Sequence, residues 1–253
     1  MKIAVLIKQT PQLSEVTMMG DKPKWPDGTT AVNPFDEYAV EEALRLKEAS
    51  GGTAIAITYG AADAESVLRD VLALGIDEAY HIESDDYSST DPQNNAKILA
   101  AAINKIGDVN IVLTGKQACD DDSGLVTSAV AGYLDWPQIG FVKKFDGVDA
   151  DKVTAWRTTD TGYDVVESPL PVVCSVVKEI NEPRLPSLKG KMKAKKAPVT
   201  KFSLADLGVE QDSLINIKGF IAPKERASGE IIDGEVDEAV SKLVEKLKTD
   251  QII

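Results

Sequence analysis

Residues 115–124, Gly-Lys-Gln-Ala-Cys-Asp-Asp-Asp-Ser-Gly, hold the densest set of groups able to do chemistry. They stand between an apolar run ending at Thr114 and a helical run beginning near Ser123. Glycine lets backbone approach a ligand closely, and the N–H groups that open a helix attract anions. Gly115, Lys116, Gln117, Ala118, Cys119, Asp120, Asp121, Asp122, Ser123 and Gly124 are therefore candidate ligand contacts, with Ser123 as the helix N-cap or a phosphate contact. Three consecutive aspartates suit Mg²⁺ on a nucleoside triphosphate. They also suit a turn whose N–H groups need acceptors, and this is the reading the residue types favour. The spacing is not that of a Walker A loop, and no GxGxxG occurs. Ser50-Gly51-Gly52-Thr53 mimics a pyrophosphatase loop, but it closes a helix and leads into a strand, so it is a C-cap.

Two further segments carry candidates. Asn33-Pro34-Phe35-Asp36-Glu37 leads into a helix, either with Asn33 and Phe35 facing a ligand crevice or as an ordinary start with a hydrophobic staple. Residues 179–196 combine two prolines, Arg184 and Lys189, Lys191, Lys193, Lys195 and Lys196 with two leucines, Leu185 and Leu188. An exposed leucine on a stiff loop anchors in a partner's pocket, and the lysines steer an acidic partner. The alternative is that both leucines pack on their own chain. His81 is the only histidine and is read as structural; Cys119 and Cys174 form no CxxC. Neither a multi-histidine metal site nor a disulfide framework is supported.

The elements that must position these residues alternate. Apolar runs at 2–7, 53–58, 79–82 and 110–114 read as strands, and 36–49, 62–74, 91–106 and 123–134 as helices. Four β-α units predict a parallel sheet covered on both faces. Ligands in such folds bind at the carboxyl ends of strands, here after Ile7, Thr58 and Thr114. Segments 140–146, 152–158, 163–167 and 172–177 read as extra, partly antiparallel strands of the same sheet. Beyond Val177 periodicity is lost through residue 201, and so long an unpatterned stretch marks a functional loop or linker. Residues 203–208 suit one helical turn, and 236–248 an amphipathic helix that either folds back or reaches out as an arm on a partner.

The 253 residues, 43% hydrophobic and 27% charged, describe an ordinary folded chain. A net charge of −13 argues against general nucleic-acid binding. No apolar run approaches the ~20 residues of a membrane helix, and the N-terminal run is shorter than a signal-peptide core. The expectation is a cytoplasmic protein with no membrane insertion.

Four stretches together resemble the β subunits of electron-transferring flavoproteins over essentially the whole chain. They are Val32-Asn33-Pro34-Phe35, Gly115-Lys116-Gln117-Ala118, Gly132-Tyr133-Leu134-Asp135-Trp136-Pro137-Gln138, and Asn181 through Leu188 with Met192 through Lys196. The resemblance implies an adenine-nucleotide α-hydrolase-like α/β fold, mainly a parallel sheet flanked by helices. It implies a non-catalytic electron-carrier subunit that holds AMP structurally and pairs with an α subunit bearing a redox-active FAD. Electrons would come from an acyl-CoA-type dehydrogenase and pass to a quinone oxidoreductase. The matching nucleotide positions are Leu6, Asn33 to Asp36, Tyr59 and Gly115 through Leu125 and Val126, with Phe35 near the flavin ring. Residues 179–201 match the partner recognition loop, Leu188 its anchor and Arg184, Leu185, Lys191 and Lys193 its neighbours. The chain then divides into a nucleotide-binding domain 1–178, this loop, and an arm 202–253 docking on the α subunit.

A subgroup bifurcates electrons, couples to NADH and binds a second FAD in place of AMP. Its loop typically reads Gly-Asp-Thr-Ala-Gln-Val-Gly; Asp121 through Thr127 depart from this, as Lys8-Gln9-Thr10-Pro11-Gln12 departs from its Lys-Gln-Val-Pro-Asp. Residues 63–70 and 229–233 resemble that subgroup. The loop favours AMP. A Mg²⁺-dependent adenine-nucleotide hydrolase using Asp120 to Asp122 is the remaining alternative; no general base is evident for it.

Overall fold

The computed structural model describes residues 1–85, 87, 91–215, 217–222 and 229–253. Residues 1–219 form one compact unit and 220–253 a second.

In chain order the first unit contains β1 (Lys2–Leu6), β2 (Gln9–Pro11), β3 (Thr17–Met19), β4 (Lys22–Lys24), β5 (Thr30–Val32), α1 (Pro34–Ser50) and β6 (Thr53–Gly60). Next come α2 (Glu65–Leu74), β7 (Glu78–Glu83), α3 (Pro92–Ile106), β8 (Ile111–Gly115) and α4 (Val126–Leu134). Then follow β9 (Gln138–Val148), β10 (Lys152–Thr159), β11 (Gly162–Pro169), β12 (Val172–Val176), α5 (Leu188–Ala194), β13 (Thr200–Phe202) and α6 (Leu204–Leu207). The second unit holds α7 (Val236–Thr249).

Nine strands form one sheet in the order β11-β10-β9-β12-β8-β1-β6-β7-β13. All neighbours from β9 to β13 run parallel, whereas β9-β10 and β10-β11 are antiparallel. Strands buried on both faces explain the unbroken apolar runs. Ile3 and Val5 join the α1–α2 layer with Val40, Leu44, Val67 and Leu68. Ala4 and Leu6 join the other layer with Ile57, Ile98, Ile103 and Val130, from β6, α3 and α4. His81 is fully buried in β7, where burial lowers its pKa and keeps the ring neutral.

The expected α/β sheet is present, including its antiparallel extension. Four details differ. Two antiparallel strand pairs, β2-β5 and β3-β4, occupy residues 9–32; strands of three residues are too short to show an alternation. The helix expected at 123–134 begins at Val126 with Leu125 as N-cap, so Ser123 is not its cap. The stretch beyond Val177 is not structureless: α5 lies within it. Its edge strand β13 pairs with β7, and both lie in the first unit.

Candidate functional site

A cleft opens at the carboxyl ends of β1, β6 and β8. Leu6 lines it from β1 with Ile7 and Lys8 just beyond, Tyr59 from β6, Thr114 and Gly115 from β8 and Asn33 and Asp36 from the start of α1. Residues 116–118, 121 and 123–127 form the remaining wall with Tyr87, Asn95 and Leu99. This is where a parallel sheet presents its ligand crevice.

Asp36 ties three elements together. Its carboxylate accepts the N–H of Lys8 at 2.9 Å and that of Gly115 at 3.1 Å. Burial pushes its pKa up to about 7, against the opposing effect of these donors. Gly115 must be glycine: a Cβ there would sit 2.6 Å from both Asp36 Oδ1 and the Phe35 carbonyl carbon. Asn33 binds the opposite loop edge to edge. Its Nδ2 donates to the Gln117 carbonyl at 2.9 Å, and its Oδ1 accepts the Cys119 N–H at 3.1 Å. Asn33 is thus a brace between α1 and the loop, and makes no side-chain cap of its own helix.

The acidic run is engaged inside the chain. Lys8 Nζ lies 2.7 Å from Asp120 and 3.3 Å from Asp121. Asp121 also accepts the Ser123 N–H at 2.9 Å, while Asp122 accepts from Gln117. Among the described residues no group of three acids, histidines or cysteines converges as a metal site. Positive φ at Asp122 and Gly124 turns the chain before α4 starts. No side chain caps α4, and Val126 and Thr127 of its first turn line the cleft; uncapped N–H groups at a helix start can bind an anion. Thr127 from α4 is buried 2.7 Å from Thr114.

The other end is aromatic. Tyr59 and Tyr87 meet edge to face at 5.0 Å, and the Tyr59 hydroxyl donates to Gln211 at 3.0 Å. Not every sequence candidate lines the cleft. Pro34, Cys119, Asp120 and Asp122 stand beside it. Phe35, under the Lys116 ammonium at 5.4 Å, faces a neighbouring groove with Phe141 and Arg157. Lys8, Tyr87, Asn95, Leu99 and Thr127 escaped the sequence reading. Lys8 was recoverable from its place just beyond β1; Tyr87 carries no such signal.

The 179–196 segment is exposed where it matters. Leu185 is 91%, Leu188 78% and Met192 65% accessible, so the leucines do not pack on their own chain. Lys191 and Lys193 are exposed. Arg184 is turned inward onto Glu41 and Glu48 of α1.

The model of the electron transfer flavoprotein domain matches residues 27–207. The chain belongs to the electron transfer flavoprotein family. Electron transfer flavoprotein subunit beta of Thermoanaerobacterium thermosaccharolyticum is 37% identical over the full length of both chains. That of Bacillus subtilis is 35% identical over 99% of this chain and 98% of its own. A caffeyl-CoA reductase–Etf complex subunit, CarD of Acetobacterium woodii, is 34% identical over both full lengths. Electron transfer flavoprotein subunits are electron carriers rather than enzymes, which sets the hydrolase alternative aside, and their β subunits pair with an α subunit. Among the described residues no helix is long and apolar enough to cross a membrane.

Proposed function

We propose that this β subunit holds AMP in the cleft as a structural element and helps position the FAD of its α subunit. The carrier would take electrons from an acyl-CoA-type dehydrogenase, as in fatty acid oxidation, and deliver them to a quinone oxidoreductase in the cytoplasm. The observation that carries this reading is the cleft itself. It lies at the strand ends where such a sheet binds ligands, with the uncapped start of α4 on one wall and Tyr59, Tyr87 and Leu99 on another. The α4 N–H groups and Thr127 would hold the phosphate, and the aromatic wall the base. FAD, when bound by the α subunit, supplies the redox chemistry; this chain shapes the surroundings through Phe35 and Lys116. Leu188, with Leu185, Lys191 and Lys193, would dock the dehydrogenase, and residues 202–253 would include the arm on the α subunit.

A second reading places another FAD in the cleft, in a bifurcating carrier coupled to NADH. Its support is the full-length likeness to CarD, whose name places it in a caffeyl-CoA reductase–Etf complex. The test is the nucleotide released on denaturing the purified heterodimer. One FAD and one AMP support the proposal. Two FAD and no AMP replace it by the second reading, and neither nucleotide removes the basis of the site.

A further inference from the structure

The docking tip has three exposed apolar side chains, and a stretch of chain presenting such groups to water needs something to hold its shape. Arg184, immediately before the tip, supplies five hydrogen bonds to α1. Its backbone N–H and Nε donate to Glu41 Oε2 at 3.1 and 2.8 Å, and Nη2 donates to Glu41 Oε1 at 3.1 Å. Nη1 and Nη2 reach Glu48 at 2.6 and 3.1 Å. Glu41 is nearly buried, at 5% side-chain exposure. Three residues earlier, Asn181 Nδ2 donates to the Tyr38 carbonyl and to Glu42, both at 3.0 Å.

The far side of the tip is fastened independently. Gly190 lies so close to the Ala73 carbonyl that a Cβ would meet it at 2.2 Å. Arg69 of α2 donates to the carbonyls of Ala194 and Ala197 at the end of α5. Between the two fastenings lie only Leu185, Pro186, Ser187, Leu188 and Lys189. Pro186 fixes its own φ, and Ser187 caps α5 through the Gly190 N–H at 3.0 Å.

We infer that Arg184 is a positioning residue: clamped bidentately on Glu41 and Glu48, it holds the 185–192 tip in its docking shape and does not itself touch the partner. The inference rests on the docking reading proposed above. A planar guanidinium grips two carboxylates at fixed angles, which a lysine cannot match. Released from α1, the tip would have to be ordered again at each encounter. Ordering one residue's backbone alone weakens docking by about tenfold.

The test uses the complete heterodimer and a short-chain acyl-CoA dehydrogenase that reduces the wild type. KM for the heterodimer and kcat are measured for Leu188→Ala, Arg184→Ala and Arg184→Lys. The expected result is that Leu188→Ala raises KM, and Arg184→Ala raises it about tenfold at nearly constant kcat and unchanged nucleotide content. Arg184→Lys should fall between Arg184→Ala and wild type. If Leu188→Ala raises KM and Arg184→Ala does not, the positioning role is refuted while the docking reading stands. If Leu188→Ala leaves KM unchanged, the docking reading falls and the inference with it. Should Arg184→Ala give no folded heterodimer, Glu48→Gln removes only the outer half of the clamp. It must then raise KM in the same direction, and an unchanged KM refutes the inference.

Discussion

Replacing Asp36 by Asn should change the pH dependence of stability in a defined direction. The Asp36 carboxyl is buried and its pKa is pushed up to about 7, while the unfolded chain titrates near the ordinary 3.8. Between these values the folded chain keeps a proton that the unfolded chain has released. Stability therefore falls as pH rises through this window and levels off above it. The full shift corresponds to about 4 kcal/mol, of which about 2–3 kcal/mol lies between about pH 5 and pH 8. Asparagine removes that dependence at a cost. One carbonyl oxygen can accept from Lys8 or Gly115, leaving the other N–H facing an amide NH₂, a loss of about 1–3 kcal/mol. The variant should thus be less stable than wild type at low pH, and the gap should close or reverse at high pH. Urea unfolding of both proteins, freed of nucleotide, measures it. Burial also raises the pKa of Glu37, Glu42 and Asp70, but these effects cancel in the difference. A gap that moves by less than about 1 kcal/mol across this range would refute the buried-carboxyl argument.

Gly115→Ala forces a methyl group against Asp36 and the Phe35 backbone. It should destabilise the chain by about 1–3 kcal/mol and release nucleotide, both readable from unfolding curves and released adenine. Gly132, inside α4, has open space where a Cβ would go, so Gly132→Ala should stabilise by about 0.5–1 kcal/mol in the same assay. Lys8→Met removes the cation between Asp120 and Asp121, a loss of about 1.5–3 kcal/mol of charged hydrogen bonding. Faster amide exchange confined to residues 116–124 should report it; unchanged exchange there would show that Asn33 alone holds the loop.

The sheet and its four β-α units were legible because strands buried on both faces leave unbroken apolar runs, and Gly51 and Gly75 punctuate them at left-handed φ. The cleft was legible by topology, since loops at strand ends must converge wherever such a sheet binds. Local pattern failed elsewhere. Ser123 follows the rule for an N-cap, but the chain turns through positive φ at Asp122 and Gly124 on either side of it, and the helix starts only at Val126. Helix α5 was hidden because its seven residues carry three lysines and turn Leu188 and Met192 outward, leaving only Ala194 buried. The inward turn of Arg184 depends on carboxylates about 140 positions away, which no periodicity can reveal.

Those carboxylates explain what would otherwise be an error of design. Glu41 and Glu42 are buried on a helix whose other buried positions include Ala39, Val40, Ala43 and Leu44. An acid on a burying face is a local conflict unless a donor arrives from elsewhere. Here Arg184 and Asn181 arrive from the docking segment and satisfy both. Although burial opposes it, hydrogen bonds from Arg184 and Arg45 hold Glu41 below the ordinary carboxylate range. The same helix begins with Asn33, Phe35 and Asp36 at the cleft. From Asp36 to Glu48 is roughly 18 Å of continuous helix, too short to bend appreciably. One rigid rod therefore fixes the position of the cleft's edge and the stem of the docking segment together. Its buried acids are misplaced as core residues and well placed as the sockets of that joint.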